Sequence, residues 1–113
     1  MYLKRDVQMK RIETIKDKKE FNNIIKTGNF KKNEFFVLYF TVNKDDVINK
    51  YGIAISNKVG KANIRNRLKR QVRSIIDNNR NLFKNKGNYI IMIRKSCLNT
   101  TYQELEKALI ELL

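Results

Sequence analysis

The 113-residue sequence predicts an α+β fold in a single domain, and three observations carry that prediction. Aromatic and β-branched residues are concentrated in short runs at 35–42, 51–56 and 87–94, the composition expected of strands. Around these runs, apolar residues recur every three to four positions, the pattern of helices with one buried face. There is no proline, no Gly/Ser-rich linker and no internal repeat, so residues 1–113 read as one unit. Within it, 1–14 has little apolar periodicity and reads as a mobile arm.

Asp17 followed by Glu20 has the spacing of a capping box, which starts a helix at about Lys18. Phe21, Ile24 and Ile25 give that helix one apolar face, and Gly28 after Thr27 supplies the left-handed residue that commonly ends a helix. The run Phe35-Phe36-Val37-Leu38-Tyr39-Phe40-Thr41-Val42 fits a strand buried on both faces, and 51–56 fits a second strand. The polar residues 43–50 would join the two as a hairpin with a long tip. Ile64, Leu68, Val72, Ile75 and Ile76 then repeat at helical spacing, predicting a helix over 61–78, roughly 27 Å long at 1.5 Å per residue. A third strand at 87–94 precedes a closing helix over 101–113, with Leu105, Ala108, Leu109 and Leu112 on one side. Thr100 or Thr101 would cap that helix, and Glu104 lies in its first turn, where the helix dipole favours an acid.

Composition narrows the function. The formal net charge is +14, and four of the eight arginines (Arg65, Arg67, Arg70, Arg73) fall within nine residues. A bias toward lysine codons would raise the overall charge, but it does not explain that clustering. The pattern points to a polyanionic partner, with nucleic acid ahead of an anionic membrane surface. No stretch approaches the ~18 to 20 consecutive apolar residues of a membrane helix, and the first residues lack a secretory apolar run, so a soluble cytoplasmic protein with no membrane partner is expected. Cys97 is the only cysteine and there is no histidine. An internal disulfide is therefore excluded, a zinc site has too few ligands, and Cys97 reads as a small buried residue. Acids such as Glu20, Glu34, Asp45, Asp46 and Asp77 are scattered, with no evident cluster for metal hydrolysis.

The helix at 61–78 carries the candidate site. Lys61, Arg65, Lys69 and Arg73 are spaced by four along one flank, Asn66 and Arg70 form a parallel row, and Arg67 lies further round. Lys58 stands just upstream, and no acid occurs between Asp46 and Asp77. A merely solvated helix face usually interleaves acids with its bases. Guanidinium forks match pairs of phosphate oxygens, so an arginine-rich row suits a defined phosphate geometry. Asn66 can both donate and accept, which suits a 2′-hydroxyl, a base edge or a metal-bound water, and equally suits a bond to its own backbone; spacing leaves both open. Phe21 and Tyr39 are candidates for stacking on unpaired bases, with core packing as the competing role.

The string Ile55-Ser56-Asn57-Lys58-Val59-Gly60-Lys61-Ala62-Asn63-Ile64-Arg65-Asn66-Arg67-Leu68-Lys69-Arg70 resembles the signature of the bacterial ribonuclease P protein component, whose centre is Arg-Asn-Arg followed one residue later by Lys-Arg. Lys19-Glu20-Phe21, Gly28, Phe36-Val37-Leu38-Tyr39 and Tyr89-Ile90-Ile91-Met92-Ile93-Arg94-Lys95 stand in the same order as in that family. The resemblance implies a ribosomal protein S5 domain 2-like α/β sandwich, with a central sheet and the long basic helix in a left-handed βαβ crossover. The general rule alone would give a right-handed crossover in about 98% of cases.

The resemblance also implies roles. Lys58, Lys61, Arg65, Asn66, Arg67, Lys69, Arg70 and Arg73 would contact the catalytic RNA subunit, while Phe21, Ile25, Val37 and Tyr39 would form a cleft for the single-stranded 5′ leader of precursor tRNA. Catalysis would belong to the RNA with Mg²⁺, held mainly by that RNA, so no residue of the chain is expected to be catalytic or a metal ligand. No obligate protein partner is expected. Some positions depart from the family pattern: Asn57 stands where a lysine is usual, Lys61 where asparagine is common, Thr14 where arginine is usual, Ile25 where an aromatic is frequent, and Ser96 where proline is frequent. The main rival reading is a structural RNA-binding protein of ribosomal type. A DNA-binding module is disfavoured, because the basic helix lies between strands rather than beside a second, tightly turned helix.

Overall fold

A computed structural model of the chain describes residues 14, 15, 17–42 and 48–113. Most of the N-terminal arm and the greater part of the 43–50 connection, Asp45 and Asp46 included, therefore lie outside the described residues.

Helix α1 (Lys18–Thr27) begins at Asp17, whose carboxylate accepts from the Lys19 amide at 2.9 Å. It ends as the Gly28 amide donates to the Ile24 carbonyl at 2.8 Å. Gly28 is not the left-handed residue the sequence suggested: its φ of −75° and ψ of 164° are extended. Its requirement is steric, since a Cβ there would lie 2.5 Å from the Ile24 carbonyl oxygen and 2.8 Å from that of Phe40. The chain thus turns directly from α1 onto the sheet.

The sheet has four strands, β1 (Asn29–Lys32), β2 (Phe36–Val42), β3 (Lys50–Ile55) and β4 (Gly87–Ile93), in the order β1-β2-β4-β3. This corrects the expected hairpin: β2 and β3 are not neighbours, because β4 lies between them, antiparallel to β2 and parallel to β3. The physical reason is apolar content. Ile90 and Ile91 are fully buried and Ile93 nearly so, so β4 has two faces to cover and takes a central place. The reading of β2 as buried on both faces is also corrected, since Phe36 and Leu38 are buried while Val37 and Tyr39 are partly exposed. β1 is an exposed edge strand that pairs with β2 alone.

On one face of the sheet, Phe36, Leu38, Tyr89, Ile91 and Ile93 pack with Leu68, Val72, Ile75 and Ile76 of α2 (Ala62–Asn78) and with Leu105, Ala108 and Leu109 of α3 (Tyr102–Glu111). Helix α2 is the crossover between the parallel strands β3 and β4, and its buried stripe is the one the sequence marked, with Ile64 packed against its edge. Helix α3 opens with a full capping box between Thr101 and Glu104. Asn33 ties the β1–β2 turn to α3: its side-chain oxygen accepts from the amides of Phe35 and Phe36, and its amide nitrogen donates to the Ala108 carbonyl at 2.8 Å. Asn49 is buried but satisfied, donating to the Phe83 carbonyl and accepting from the Gly87 amide. Cys97 is buried as expected, with its thiol 3.1 Å from the Phe35 carbonyl.

The opposite face is covered only in part. Strand pairing sets two cross-strand rows there: Phe30, Tyr39, Ile90 and Gly52 in one, Lys32, Val37, Met92 and Ala54 in the other. Ile24 of α1 packs on Ile90 together with Ile15, and the Phe21 ring lies over Gly52, where a Cβ would meet it at 2.8 Å. Helix α1 therefore roofs the inner end of the first row, and the second row lies beside it.

Candidate nucleic-acid interface

The link from β3 into α2 is a 3-10 turn (Asn57–Val59) that puts cations outward. The Ser56 hydroxyl accepts from the Lys58 amide at 3.2 Å, and buried Val59 anchors the turn, so Lys58 is exposed. Lys61 then occupies the N-cap of α2, whose first turn holds no acid. The positive end of the helix dipole therefore adds to the side-chain charge.

Along α2 the buried stripe fixes which way each basic residue points. Asn66, Arg67, Arg70 and Arg73 are exposed, whereas Arg65 and Lys69 are half-buried along the flank. The Arg65 guanidinium donates through Nη1 to the Asn57 side-chain oxygen, and its Nε is buried without a hydrogen-bond partner. This contact fixes the guanidinium against the turn that carries Lys58. Among the described residues no acid pairs with any of these cations; Asp77, near the far end of α2, pairs instead with Arg80 beyond the helix, 3.1 Å away.

Beside α1 the outer face of the sheet forms an open groove of about 740 Å³. Val37, Met92 and Ala54 line it, Tyr39 and Phe30 stand along one side, and Lys32, Lys58, Arg94 and Lys95 bring cations to it. Arg94 is held by a 2.7 Å bond from its guanidinium to the Asn33 carbonyl. Lys58 belongs both to this groove and to the cationic surface of α2, so the two regions are continuous.

The four residues expected in the cleft divide accordingly. Val37 and Tyr39 line the groove, while Phe21 and Ile25 are half-buried against the cluster of Ile15, Ile24 and Ile90, which Tyr39 also touches. Phe30, Lys32, Ala54 and Met92 were not singled out from the sequence. Alternation with Val37 and Tyr39 could have found them, but only once strand neighbours were known, and β1 carried no strand signal.

A small α+β fold with a cationic surface bordering an apolar, aromatic-walled groove is the architecture of a nucleic-acid-binding protein. Comparison with known proteins makes this specific. Residues 9–113 match the family model described as Ribonuclease P. The chain is 40% identical over 106 residues to the ribonuclease P protein component of Mycoplasma capricolum, covering 93% of this chain and 96% of that protein. It is 33% identical over 102 residues to the component from Bacillus cereus, covering 90% and 89%. Among solved structures, the RNase P protein from Thermotoga maritima superposes with a TM-score of 0.80 at 30% identity, covering 89% of this chain and 94% of that one. The chain belongs to the ribonuclease P protein component family, the protein subunit of a ribonucleoprotein endoribonuclease. That membership sets aside the ribosomal structural reading. The partner it entails is the ribonuclease P RNA.

Proposed function

We propose that the chain assists the ribonuclease P RNA in removing the 5′ leader from precursor tRNA by two adjoining surfaces. The cationic surface of Lys58, Lys61, Arg65, Asn66, Arg67, Lys69, Arg70 and Arg73 binds the catalytic RNA. The groove beside α1, with Val37 and Tyr39 in it and Phe21 and Ile25 supporting its roofed end, receives the single-stranded leader. The observation that carries this reading is the continuity of the two regions at Lys58, which brings two polyanions to neighbouring parts of one small domain.

The contribution of the chain is electrostatic and positional. Juxtaposed cations reduce the repulsion between RNA subunit and substrate, and anchoring the leader orients the bond to be cut. Among the described residues no three of the His, Cys, Asp and Glu types gather to hold a metal ion. In this reading the Mg²⁺ of the reaction is held mainly by the RNA subunit. The reaction is expected in the cytoplasm; no described helix is long and apolar enough to cross a membrane.

Reconstitution tests the proposal. Added to ribonuclease P RNA at near-physiological salt, the protein should lower the Mg²⁺ concentration needed for cleavage of precursor tRNA. Identical cleavage curves with and without it would refute the reading.

A further inference from the structure

We propose that Phe30 is a nucleobase-stacking subsite that extends the leader track by one unpaired nucleotide past Tyr39. The inference rests on the groove reading above and adds a residue and a ligand position to it.

Phe30 is 59% exposed, ahead of Val42 and Ile110 among the large apolar side chains described as exposed. That exposure leaves much of the ring open to a ligand. Its position is nevertheless fixed: it pairs across the strands with Tyr39, and the two rings lie 6.0 Å apart, tilted by 42°. Tyr39 thus supports one side of the ring and solvent has the other. β1 is the edge of the sheet, and among the described residues no further strand pairs with it on that side.

The surroundings select the occupant. Lys32, two residues along β1, shares the face of Phe30, and Lys58, Arg94 and Lys95 complete the cations of the same groove, which no acid lines among the described residues. An apolar ring face beside unopposed cations suits a base on a charged backbone, because every base offers a π-face while the lysines meet its phosphates. A folded protein partner would need a broader apolar surface than one ring and a cation-edged groove provide.

The test uses holoenzyme reconstituted with ribonuclease P RNA and precursor tRNAs whose leaders lengthen one nucleotide at a time. Affinities are measured for the wild type, Phe30→Leu, Phe30→Tyr and Tyr39→Ala, with thermal melts confirming the fold. Phe30→Leu keeps the apolar bulk and removes the ring. It should weaken binding about fivefold, the lower end expected for one stacked base, and only beyond the leader length that reaches it. Phe30→Tyr should bind as the wild type does. If Phe30→Leu matches the wild type at every length while Tyr39→Ala weakens leader binding, the groove stands and the Phe30 subsite is overturned. Equal weakening of mature tRNA by Phe30→Leu would also overturn it. If Tyr39→Ala and Phe30→Leu both leave leader affinity untouched, the groove reading fails, and the subsite with it.

Discussion

A Cβ on Gly87 would fall 1.9 Å from the Thr41 carbonyl oxygen, and the φ of +157° at this residue already disfavours any side chain. Gly87→Ala should therefore destabilise the protein by more than about 3 kcal/mol, since neither the β2 backbone nor the torsion can yield cheaply. Gly28→Ala meets two carbonyl oxygens without the torsional penalty and should cost less, about 2 kcal/mol. Urea unfolding gives the order, and a silent Gly87→Ala would contradict the close strand approach. Cys97 offers a test by pH. Burial pushes its thiol up to about 11, partly opposed by the Arg94 backbone and charge. A raised folded pKa means that the thiol favours the folded state fully below the unfolded value, and that this contribution is lost as pH rises through about 11. Tyr89 is also raised, mainly by burial, and acts in the same direction, so the informative quantity is a difference between two proteins. From about pH 9 to 11, wild-type stability should fall more steeply than that of Cys97→Ala, by at most roughly 1.4 kcal/mol per pH unit. Parallel pH profiles would show that Cys97 is not protected.

The elements differ in how far the sequence determines them locally. Helix α1 spans the residues that its cap and periodicity indicated, and α2 begins one residue after the predicted start because Lys61 is its N-cap. Helix α3 shows why caps were readable: Thr101 and Glu104 satisfy one another's amides within four residues. Thr101→Ala should accordingly lower stability by about 1 kcal/mol, and Thr100→Ala by much less; equal effects in thermal melts would misplace the cap. What failed was non-local. The hairpin was inferred from adjacency in sequence, but strand order follows which strand must be covered on both faces, and Ile90 and Ile91 together give β4 that demand. Strand β1 was missed because Asn-Phe-Lys-Lys is exposed throughout and gains its order from pairing with β2. Gly28 was assigned a common torsional role when its constraint is steric, from the Ile24 carbonyl four residues back and from that of Phe40, twelve residues on. The same division holds at the site. The row on α2 is a local pattern and could be read directly, whereas the groove depends on which strands are neighbours. Of its residues, Tyr39 was a stacking candidate from the sequence, the resemblance added Val37 and placed both in a cleft, and the fold added Phe30, Lys32, Ala54 and Met92.

At the scale of the whole molecule, a net charge of +14 on 113 residues gives added salt two opposing effects. In the free protein, salt screens the repulsion among α2, the groove cations and the remaining lysines, so the melting temperature should rise with ionic strength. In the complex, each phosphate neutralised releases counterions, so affinity for the ribonuclease P RNA should fall as salt rises. If the seven cations from Lys58 to Arg73 each met a phosphate, the log-log slope would approach roughly −5 to −6, and partial contact would make it shallower. Replacing Arg65 and Arg67 together by alanine should make the slope shallower by roughly 1.5. The two are not equivalent: Arg65 also bonds Asn57, so its loss loosens the turn carrying Lys58, whereas exposed Arg67 makes no such bond among the described residues. Arg67→Ala alone should therefore shift the slope by a little under one while leaving the melting temperature of the free protein in place or slightly higher, since one repelling charge is gone. An unchanged slope in the double variant would place the RNA elsewhere on the surface. A melting temperature that falls with added salt would show that the cations are already neutralised within the fold, which the absence of acid partners along α2 among the described residues argues against.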